Sequence, residues 1–305
     1  MKNYNLDVVA LSETRFPGQG QLKEKDYTFF WSGLSDDEHR RAGAGFAIKR
    51  SIADKLESLP EAHNERLMTL SLPISKKQRL FMISAYAPTM NHTLDEKEQF
   101  YEDLRRILKK VSSKDSILLM GDFNARVGND HQAWPGVLGK HLLGTSNSNG
   151  LLLLSLCSEF NLTITNSIFQ QKNMYKGTWC HPRSKHWHTL DYIIMRQSDR
   201  NCVKSTRAHR GTEQWSDHRL VRSMLKIQIQ SKPRRSKATA PKKINFSALK
   251  DPVTASSFTQ KLDNAVERCS ISDDVEASWK DLKDVMYETS LGVLVRNFLR
   301  CSWPS

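Results

Sequence analysis

The first 230 residues are organised around short apolar runs that are rich in β-branched residues and are separated by polar turns. Such runs predict strands rather than helices, because an amphipathic helix repeats its apolar positions over about ten residues or more. We predict strands at 6–11, 45–49, 67–72, 80–86, 117–121, 162–166, 190–195 and 220–229. Because strands outnumber helices, the pattern favours a layered α/β sandwich of two sheets with outer helices over a doubly wound sheet.

Helical patterns define the remaining organisation. A helix at 94–111 begins with Thr93 and Glu96, which have the spacing of a capping box, and a second helix is predicted at 150–160. Two further stretches near the C-terminus carry apolar residues at helical spacing, after a basic, proline-containing segment without apolar periodicity. We therefore predict a main domain at 1–229, a basic linker at 230–244 and a helical tail at 245–305.

The chain is strongly basic, with 46 Lys and Arg against 33 Asp and Glu and a formal net charge of +13. Every formal charge between Asp217 and Asp251 is positive. This polarity favours an anionic partner, most often nucleic acid, bound through a basic surface and the linker. For 232–243 alone, a solvated and disordered linker explains the charges equally well. The sequence does not define an oligomeric state.

Apolar runs, cysteines and a basic motif in the sequence predict the cellular compartment of the protein. No apolar run approaches the roughly 20 residues that cross a bilayer, and we expect neither a membrane span nor a secretory leader. Five cysteines without a Cys-x-x-Cys pair indicate reduced thiols. The sequence Lys-Pro-Arg-Arg-Ser-Lys at 232–237 favours the nucleus, with the cytoplasm as the alternative.

The strongest local signal for chemistry is Gly-Asp-Phe-Asn at 121–124, directly after an apolar strand. In continued strand geometry Asp122 and Asn124 point to the same side of the sheet. A carboxylate that accepts hydrogen bonds, next to an amide that can donate them, suits activation of a water beside a phosphate oxygen. An Asp at a strand end also often only begins a turn, and from this motif alone the two interpretations are equally good.

Three further polar features stand at ends of predicted strands. Glu13 follows the first apolar run, Asp191 begins another, and Asp217 with His218 precedes the last. Each position alone is common in proteins without catalytic function. Their recurrence at strand ends makes a shared site the stronger hypothesis.

In this order the motifs resemble the endonuclease/exonuclease/phosphatase family. The resemblance rests on Ser-Glu-Thr at 12–14, Tyr-Ala-Pro at 86–88, Gly-Asp-Phe-Asn at 121–124, Leu-Asp-Tyr-Ile at 190–193 and Ser-Asp-His at 216–218. The stretch Asn-Gly-Leu-Leu-Leu-Leu at 149–154 is similar to the branch that contains LINE-type retrotransposon endonucleases and craniofacial development protein 2-like genes. The resemblance covers roughly residues 1–229. It implies a four-layer α/β/β/α sandwich of two mixed sheets, as in DNase I, with a small helical C-terminal extension.

The resemblance also implies a role for each residue. Glu13 would be the main ligand of a divalent cation, Mg²⁺ or alternatively Mn²⁺, which prefers oxygen ligands. Asp217 would bind a second cation or lie just outside the ligands of the first. Asp122 would orient or deprotonate the attacking water, and Asn124 would hold a phosphate oxygen. The catalytic residues would also include His218, which Asp191 would orient, and Tyr86, which would donate a hydrogen bond to the phosphate. From the sequence alone Tyr86 is equally well explained as an aromatic residue filling the sheet end.

The chain departs from the family in one respect. Family members open with an apolar strand that ends in Asn, a few dozen residues before the Glu motif, whereas Met1 here lies twelve residues before Glu13. We expect the first strand to be missing, which exposes ladder groups of its neighbours. The leading hypothesis is a Mg²⁺-dependent phosphodiesterase that nicks DNA and derives from a retrotransposon endonuclease. The alternatives are a domesticated nucleic-acid- or chromatin-binding protein with impaired catalysis, and a phosphoesterase acting on a smaller substrate.

Overall fold

A computed structural model describes residues 4–35, 42–211, 216–229, 245–267 and 275–294. The chain divides into two compact units, Met1–Ser231 and Lys232–Ser305. The predicted linker at 230–244 lies outside the described residues. In the described part of the chain, no helix is long and apolar enough to cross a membrane.

The first unit contains fourteen strands and three α-helices in its described residues. The strands are β1 (Val8–Ser12), β2 (Gln19–Lys23), β3 (Tyr27–Ser32), β4 (Ala44–Lys49), β5 (Glu61–Asn64), β6 (Leu67–Ser75), β7 (Gln78–Tyr86), β8 (Ser116–Asp122), β9 (Leu162–Ile164), β10 (Trp179–Cys180), β11 (Trp187–His188), β12 (Asp191–Arg196), β13 (Val203–His209) and β14 (Leu220–Leu225). The helices are α1 (Arg50–Ala53), α2 (Leu94–Lys110) and α3 (Ser148–Glu159).

The central layer is a six-stranded mixed sheet in the order β5-β6-β7-β8-β12-β9, in which β7 and β8 run parallel. Successive side chains of a strand point to opposite faces, so each strand serves two cores. Leu67, Ile83 and Leu119 pack with α2 and α3 on one face. On the other face, Met82 and Leu118 pack against strands of the second layer. Three layers of the predicted sandwich are therefore present in the expected order: the helices, the six-stranded sheet and the second layer of strands.

The second layer differs from the predicted mixed sheet. It consists of an antiparallel sheet in the order β1-β4-β3-β2 and a separate antiparallel ribbon, β13-β14. β3 pairs with both β2 and β4, its neighbours in sequence, and antiparallel pairing suits such direct connections because parallel strands need long crossovers. The two long helices of this unit both lie on the outer face of the six-stranded sheet.

A cleft of about 1510 Å³ lies along the second layer. In the described part of the chain, β1 pairs only with β4 and β14 only with β13, and residues of both β1 and β14 line this cleft. Side chains of the six-stranded sheet, among them Leu80 and Met120, also line it. In the described residues the cleft therefore lies along two strands, β1 and β14, that each have one sheet partner.

Most predicted elements have the expected type, with shifted ends. α2 begins at the predicted capping box, in which Thr93 and Glu96 satisfy each other's backbone N–H groups. The strand predicted at 162–166 ends at Ile164, because Thr165–Ser167 forms a 3-10 turn whose first hydroxyl donates to the Ile193 carbonyl. The strand predicted at 220–229 ends at Leu225.

The second unit contains two helices in its described residues, α4 (Pro252–Val266) and α5 (Val275–Val293). Asp251 caps α4 by accepting a hydrogen bond from the Thr254 backbone N–H, and Pro252 occupies the first helical position, where its missing N–H costs nothing. Both predicted tail helices are confirmed.

Candidate active site

Asp122 ends β8, the central strand that pairs with both β7 and β12, and is 4% exposed. Its backbone N–H donates to the Ser12 hydroxyl at 3.4 Å, and its Oδ1 accepts from the Asn124 backbone N–H at 2.9 Å. The preceding Gly121 has φ 147°, and a Cβ there would overlap the Ala85 carbonyl oxygen of β7. Glycine at 121 thus lets β8 approach β7 and places the carboxylate beside β1.

His218 connects two of the predicted carboxylates. Its Nδ1 lies 3.0 Å from Oδ2 of Asp191, and its Nε2 lies 4.0 Å from Oδ2 of Asp122. Asp191 begins β12 directly opposite Asp122, since the two residues are paired in the antiparallel β12–β8 register. Sheet pairing therefore sets the two carboxylates side by side, and the imidazole contacts both.

Burial and neighbouring charges shift the pKa values of Asp122 and His218. Burial, and then the charge of Asp191, raises the pKa of Asp122 to about 8. Burial lowers the pKa of His218, but the hydrogen bond and charge of Asp191, followed by the charges of Asp122 and Asp217, raise it overall to about 9. The imidazole is thus held as a cation between acids.

Glu13 and Tyr86 form a second hydrogen-bonded pair, and Tyr86 is the register partner of Asp122 in the parallel β7–β8 pair, although it does not itself line the cleft. The Tyr86 hydroxyl donates to Glu13 Oε1 at 2.7 Å, and the Arg15 guanidinium donates to Oε2 at 2.8 Å. Burial first, and then the hydrogen bond to Glu13, raises the pKa of Tyr86 well above its usual value, so the phenol remains a donor. Arg15 is exposed, and its ion pair contributes little to stability.

Two of the predicted site residues have strained backbones. Glu13 has φ 53° and Asn124 has φ 47°, the left-handed region that non-glycine residues occupy at a cost of about 1–3 kcal/mol. Hydrogen bonds hold the Asn124 turn, because its side-chain amide donates to the Ala87 carbonyl at 2.9 Å. Such strain is typical of sites whose side chains must point in one direction.

Asp217 is held by a residue that the sequence interpretation missed. Its Oδ2 accepts a hydrogen bond from Trp179 Nε1 at 2.7 Å, and the Trp179 ring lies 6.4 Å from the His218 ring. A second missed residue, Thr178, receives the backbone N–H groups of Leu190 and Asp191 on its hydroxyl. No local pattern marks either residue, since both act across at least twelve positions of sequence.

The structure brings the predicted residues together to different degrees. Glu13, Asp122, Asn124, Asp191, Asp217 and His218 all line the cleft. Among the described residues, ligand atoms of Asp122, Asp191 and His218 lie within 4.8 Å of one another, and this is the group that could hold a metal ion. The roles predicted for the individual residues, including Glu13 and Asp217 as metal ligands, remain predictions.

Comparison with known proteins gives one matching family and a curated relative. Residues 80–222 match the family described as Endonuclease-reverse transcriptase. Craniofacial development protein 2 of Bos taurus is 30% identical over 234 residues, which are 77% of this chain and 38% of that protein. The chain thus spans well under half the length of this curated relative. The resemblance predicted from the sequence motifs is confirmed.

Solved structures share the fold. The catalytic domain of APE2 from Xenopus laevis has a TM-score of 0.55 at 16% identity and covers 75% of this chain and 86% of its own. The AP endonuclease LMAP from Leishmania major has a TM-score of 0.54 at 15% identity and covers 74% and 80%. At these identities the similarity establishes the DNase I-like fold.

Proposed function

Because residues 80–222 match the endonuclease-reverse transcriptase family and the fold is shared with AP endonucleases, we propose that this chain is a divalent-cation-dependent endonuclease that nicks DNA. The observation that carries the proposal is the contact of His218 with two carboxylates, at 3.0 Å to Asp191 and 4.0 Å to Asp122. An imidazole oriented by one acid and directed toward another suits stabilisation of a developing negative charge next to a water-activating base.

The donor set fits a hard cation. The cleft carries the carboxylates of Glu13, Asp122, Asp191 and Asp217, and oxygen ligands of this kind are the ones that Mg²⁺ and Mn²⁺ prefer. The raised pKa of Asp122 also supports a cation, because like charges in a buried group are relieved by a positive ion. When bound, the ion polarises the phosphate and stabilises the leaving oxygen. We propose that Glu13 and Asp217 hold it, with Asp122 and Asp191 close by.

The remaining residues act on water and phosphate. Asp122 must be ionised to accept a proton from the attacking water, and its pKa falls when a cation lies beside it. His218 donates from Nε2 to the phosphate oxygens while Nδ1 stays on Asp191. Tyr86 is the phenol donor on the Glu13 side, and Asn124 contributes the amide hydrogen that its contact with Ala87 leaves unused.

DNA is the proposed partner because the chain is basic next to the cleft. β13 and β14 carry Lys204, Arg207 and Arg222 and no acidic residue. We propose that DNA contacts this ribbon and the basic segment 230–244, that the protein works in the nucleus, and that it derives from a retrotransposon endonuclease. A fluorescent fusion with and without 232–237 tests the location.

A plasmid-nicking assay tests the activity. Pure protein is incubated with supercoiled plasmid in Mg²⁺, Mn²⁺ or EDTA, and wild type is compared with Asp122→Asn. The matched control is Asp115→Asn, which changes a carboxylate just before β8, at the end of the strand away from the site, where it accepts a hydrogen bond from the Arg79 backbone. We expect metal-dependent nicking by wild type and the control, and a loss of about 10²–10⁴-fold in Asp122→Asn.

The same assay separates the alternative function. If folded wild type binds DNA but shows no nicking with either metal, the endonuclease proposal is wrong and a non-catalytic nucleic-acid-binding protein is favoured. Equal nicking by wild type and Asp122→Asn would indicate a contaminating nuclease.

A further inference from the structure

Asn149 lies in the first turn of α3 and its side chain reaches outside the helix. It is 2% exposed, and its Nδ2 donates to the Pro88 carbonyl at 3.1 Å and to the Asn124 carbonyl at 3.0 Å. Both partners are acceptors, so the orientation of the amide is defined. One buried side chain therefore bridges the loop after β7 and the loop after β8.

The helix itself does not require this residue. Asn147 is the N-cap of α3, and its Oδ1 accepts from the Gly150 backbone N–H at 2.8 Å. The following buried positions are apolar, among them Leu153 and Leu154. The amide is only half satisfied, because its Oδ1 is buried without a hydrogen-bond partner among the described residues. Since such burial is unfavourable, an amide at this position indicates that the two bonds from Nδ2 are its contribution.

The N-terminus of α3 is also pressed against the loop after β8. The Asn147 side chain accepts from the Arg126 backbone N–H at 3.0 Å, and the Asn147 N–H donates to the Arg126 carbonyl at 3.0 Å. A Cβ at Gly150 would overlap that carbonyl oxygen. These contacts tie the first turn of α3, which carries Asn149, to Arg126 in the loop after β8.

The loop after β8 carries Asn124, and the loop after β7 begins directly after Tyr86. Asn124 is in the left-handed region, where surrounding bonds must hold it, and Pro88 follows Tyr86 by two positions. The Ala87 N–H donates to the Asp122 carbonyl, and the Asn124 amide donates to the Ala87 carbonyl. Asn149 completes this network by binding one carbonyl of each loop.

We infer that Asn149 is a positioning residue. It holds the loop after β8, which contains Asn124, and the loop after β7, which follows Tyr86, in the arrangement needed for catalysis. The inference rests on the proposed endonuclease function. Asn149 lines no part of the cleft, in contrast to Asn124. Its loss therefore lowers the rate of the chemical step and leaves DNA affinity in place.

The test compares Asn149→Ala with Thr163→Ala. Thr163 is 3% exposed, and its hydroxyl donates to the Gly136 carbonyl away from the cleft, so the control also loses a buried hydrogen bond. We expect kcat for plasmid nicking to fall about 10- to 100-fold in Asn149→Ala, with KM and DNA affinity in EDTA within about twofold of wild type. For Thr163→Ala we expect kcat to stay within the same twofold range of the wild-type value. Asn124→Ala/Asn149→Ala is expected to lose less rate than the product of the two single losses, because the part of the Asn149 effect that acts through Asn124 is already absent.

Amide hydrogen exchange provides a readout that does not depend on nicking. Segments 86–90 and 123–126 should exchange faster in Asn149→Ala than in wild type and in Thr163→Ala. Unchanged exchange in both segments, or multiplicative losses in the double variant, overturns the inference. If wild type does not nick, the proposed function fails, while the exchange data still decide whether Asn149 clamps the loops. If Asn149→Ala does not fold, Asn149→Ser retains one donor and should give intermediate exchange and rate.

Discussion

His218 Nδ1 lies 3.0 Å from Asp191 Oδ2, and this contact turns Nε2 toward Asp122. An imidazole that is bonded through one nitrogen presents the other in a fixed direction and a fixed protonation state. The sheet supplies the geometry, because Asp191 and Asp122 are cross-strand partners in β12 and β8.

The first prediction concerns Asp191. In Asp191→Asn the imidazolium loses its principal charge partner, so the pKa of His218 should fall from about 9 toward or below 6.5. Nicking at neutral pH should fall about 10²–10⁴-fold. NMR titration of the His218 ring and the plasmid assay measure the two effects, with Asp115→Asn as the control. An unchanged His218 pKa would contradict the assigned contact.

The second prediction concerns stability and pH in metal-free protein. The folded pKa values of Asp122, about 8, and His218, about 9, both lie above those of an unfolded chain, 3.8 and 6.5. Stability should therefore fall as pH rises, between 3.8 and 8 for Asp122 and between 6.5 and 9 for His218. We expect Tm in EDTA to fall from about pH 6 to about pH 9, by about 2–4 °C for each kcal/mol of stability that is removed.

Asp122→Asn is the matched variant for this measurement. It removes one of the two groups, so its Tm should fall less steeply over the same range. Mg²⁺ should raise the Tm of wild type more at about pH 8.5 than at about pH 6, because the ionised carboxylate binds the cation. A wild-type Tm that rises across this range in EDTA would show that the buried acid is not destabilised by ionisation.

The sequence motifs, which are local, pointed to residues that line one cleft, whereas the geometry of these residues was not predictable. Asp122 follows an apolar strand whose continuous hydrophobic run places it in the core. The positive φ of Glu13 left no trace in the sequence, because glycine is the usual residue in that region and Asn, as at position 124, is the commonest alternative. The Trp179–Asp217 hydrogen bond joins residues 38 positions apart, and only the folded chain brings them together.

The fold was predictable at central strands that are buried on both faces, whereas β3, which is also mostly buried, was not predicted. β8 and β12 are almost wholly buried, and their apolar runs are continuous. β2 is largely exposed and β13 has only alternate buried positions, so their polar sequences resemble loops. Both were missed, since partners in the sheet rather than side-chain hydrophobicity make them strands.

The third prediction concerns Glu13 and its neighbour Arg15, whose guanidinium binds Glu13 Oε2 at 2.8 Å. If Glu13 is a metal ligand, Glu13→Gln should raise the Mg²⁺ concentration for half-maximal nicking, and Arg15→Gln should lower it by about two- to fivefold, because a competing cation is removed. Thermal-shift titration with Mg²⁺ ranks the Mg²⁺ affinities of the three proteins independently of activity. Identical Mg²⁺ midpoints in all three proteins would exclude Glu13 as a ligand.

The fourth prediction concerns Arg207 and Arg222, which are direct cross-strand partners in the β13–β14 ribbon. Like charges in this position destabilise a sheet, which favours a role in binding anions. Arg207→Gln/Arg222→Gln should weaken DNA binding and reduce the slope of log K against log salt by about 1 for each phosphate that is no longer bound. The control, Lys109→Gln/Lys110→Gln, removes two exposed cations at the end of α2 and should keep the wild-type slope. Because the ribbon is outside the chemical centre, kcat at saturating DNA should stay within about twofold of wild type. Equal slopes for the two double variants would place the DNA on another surface.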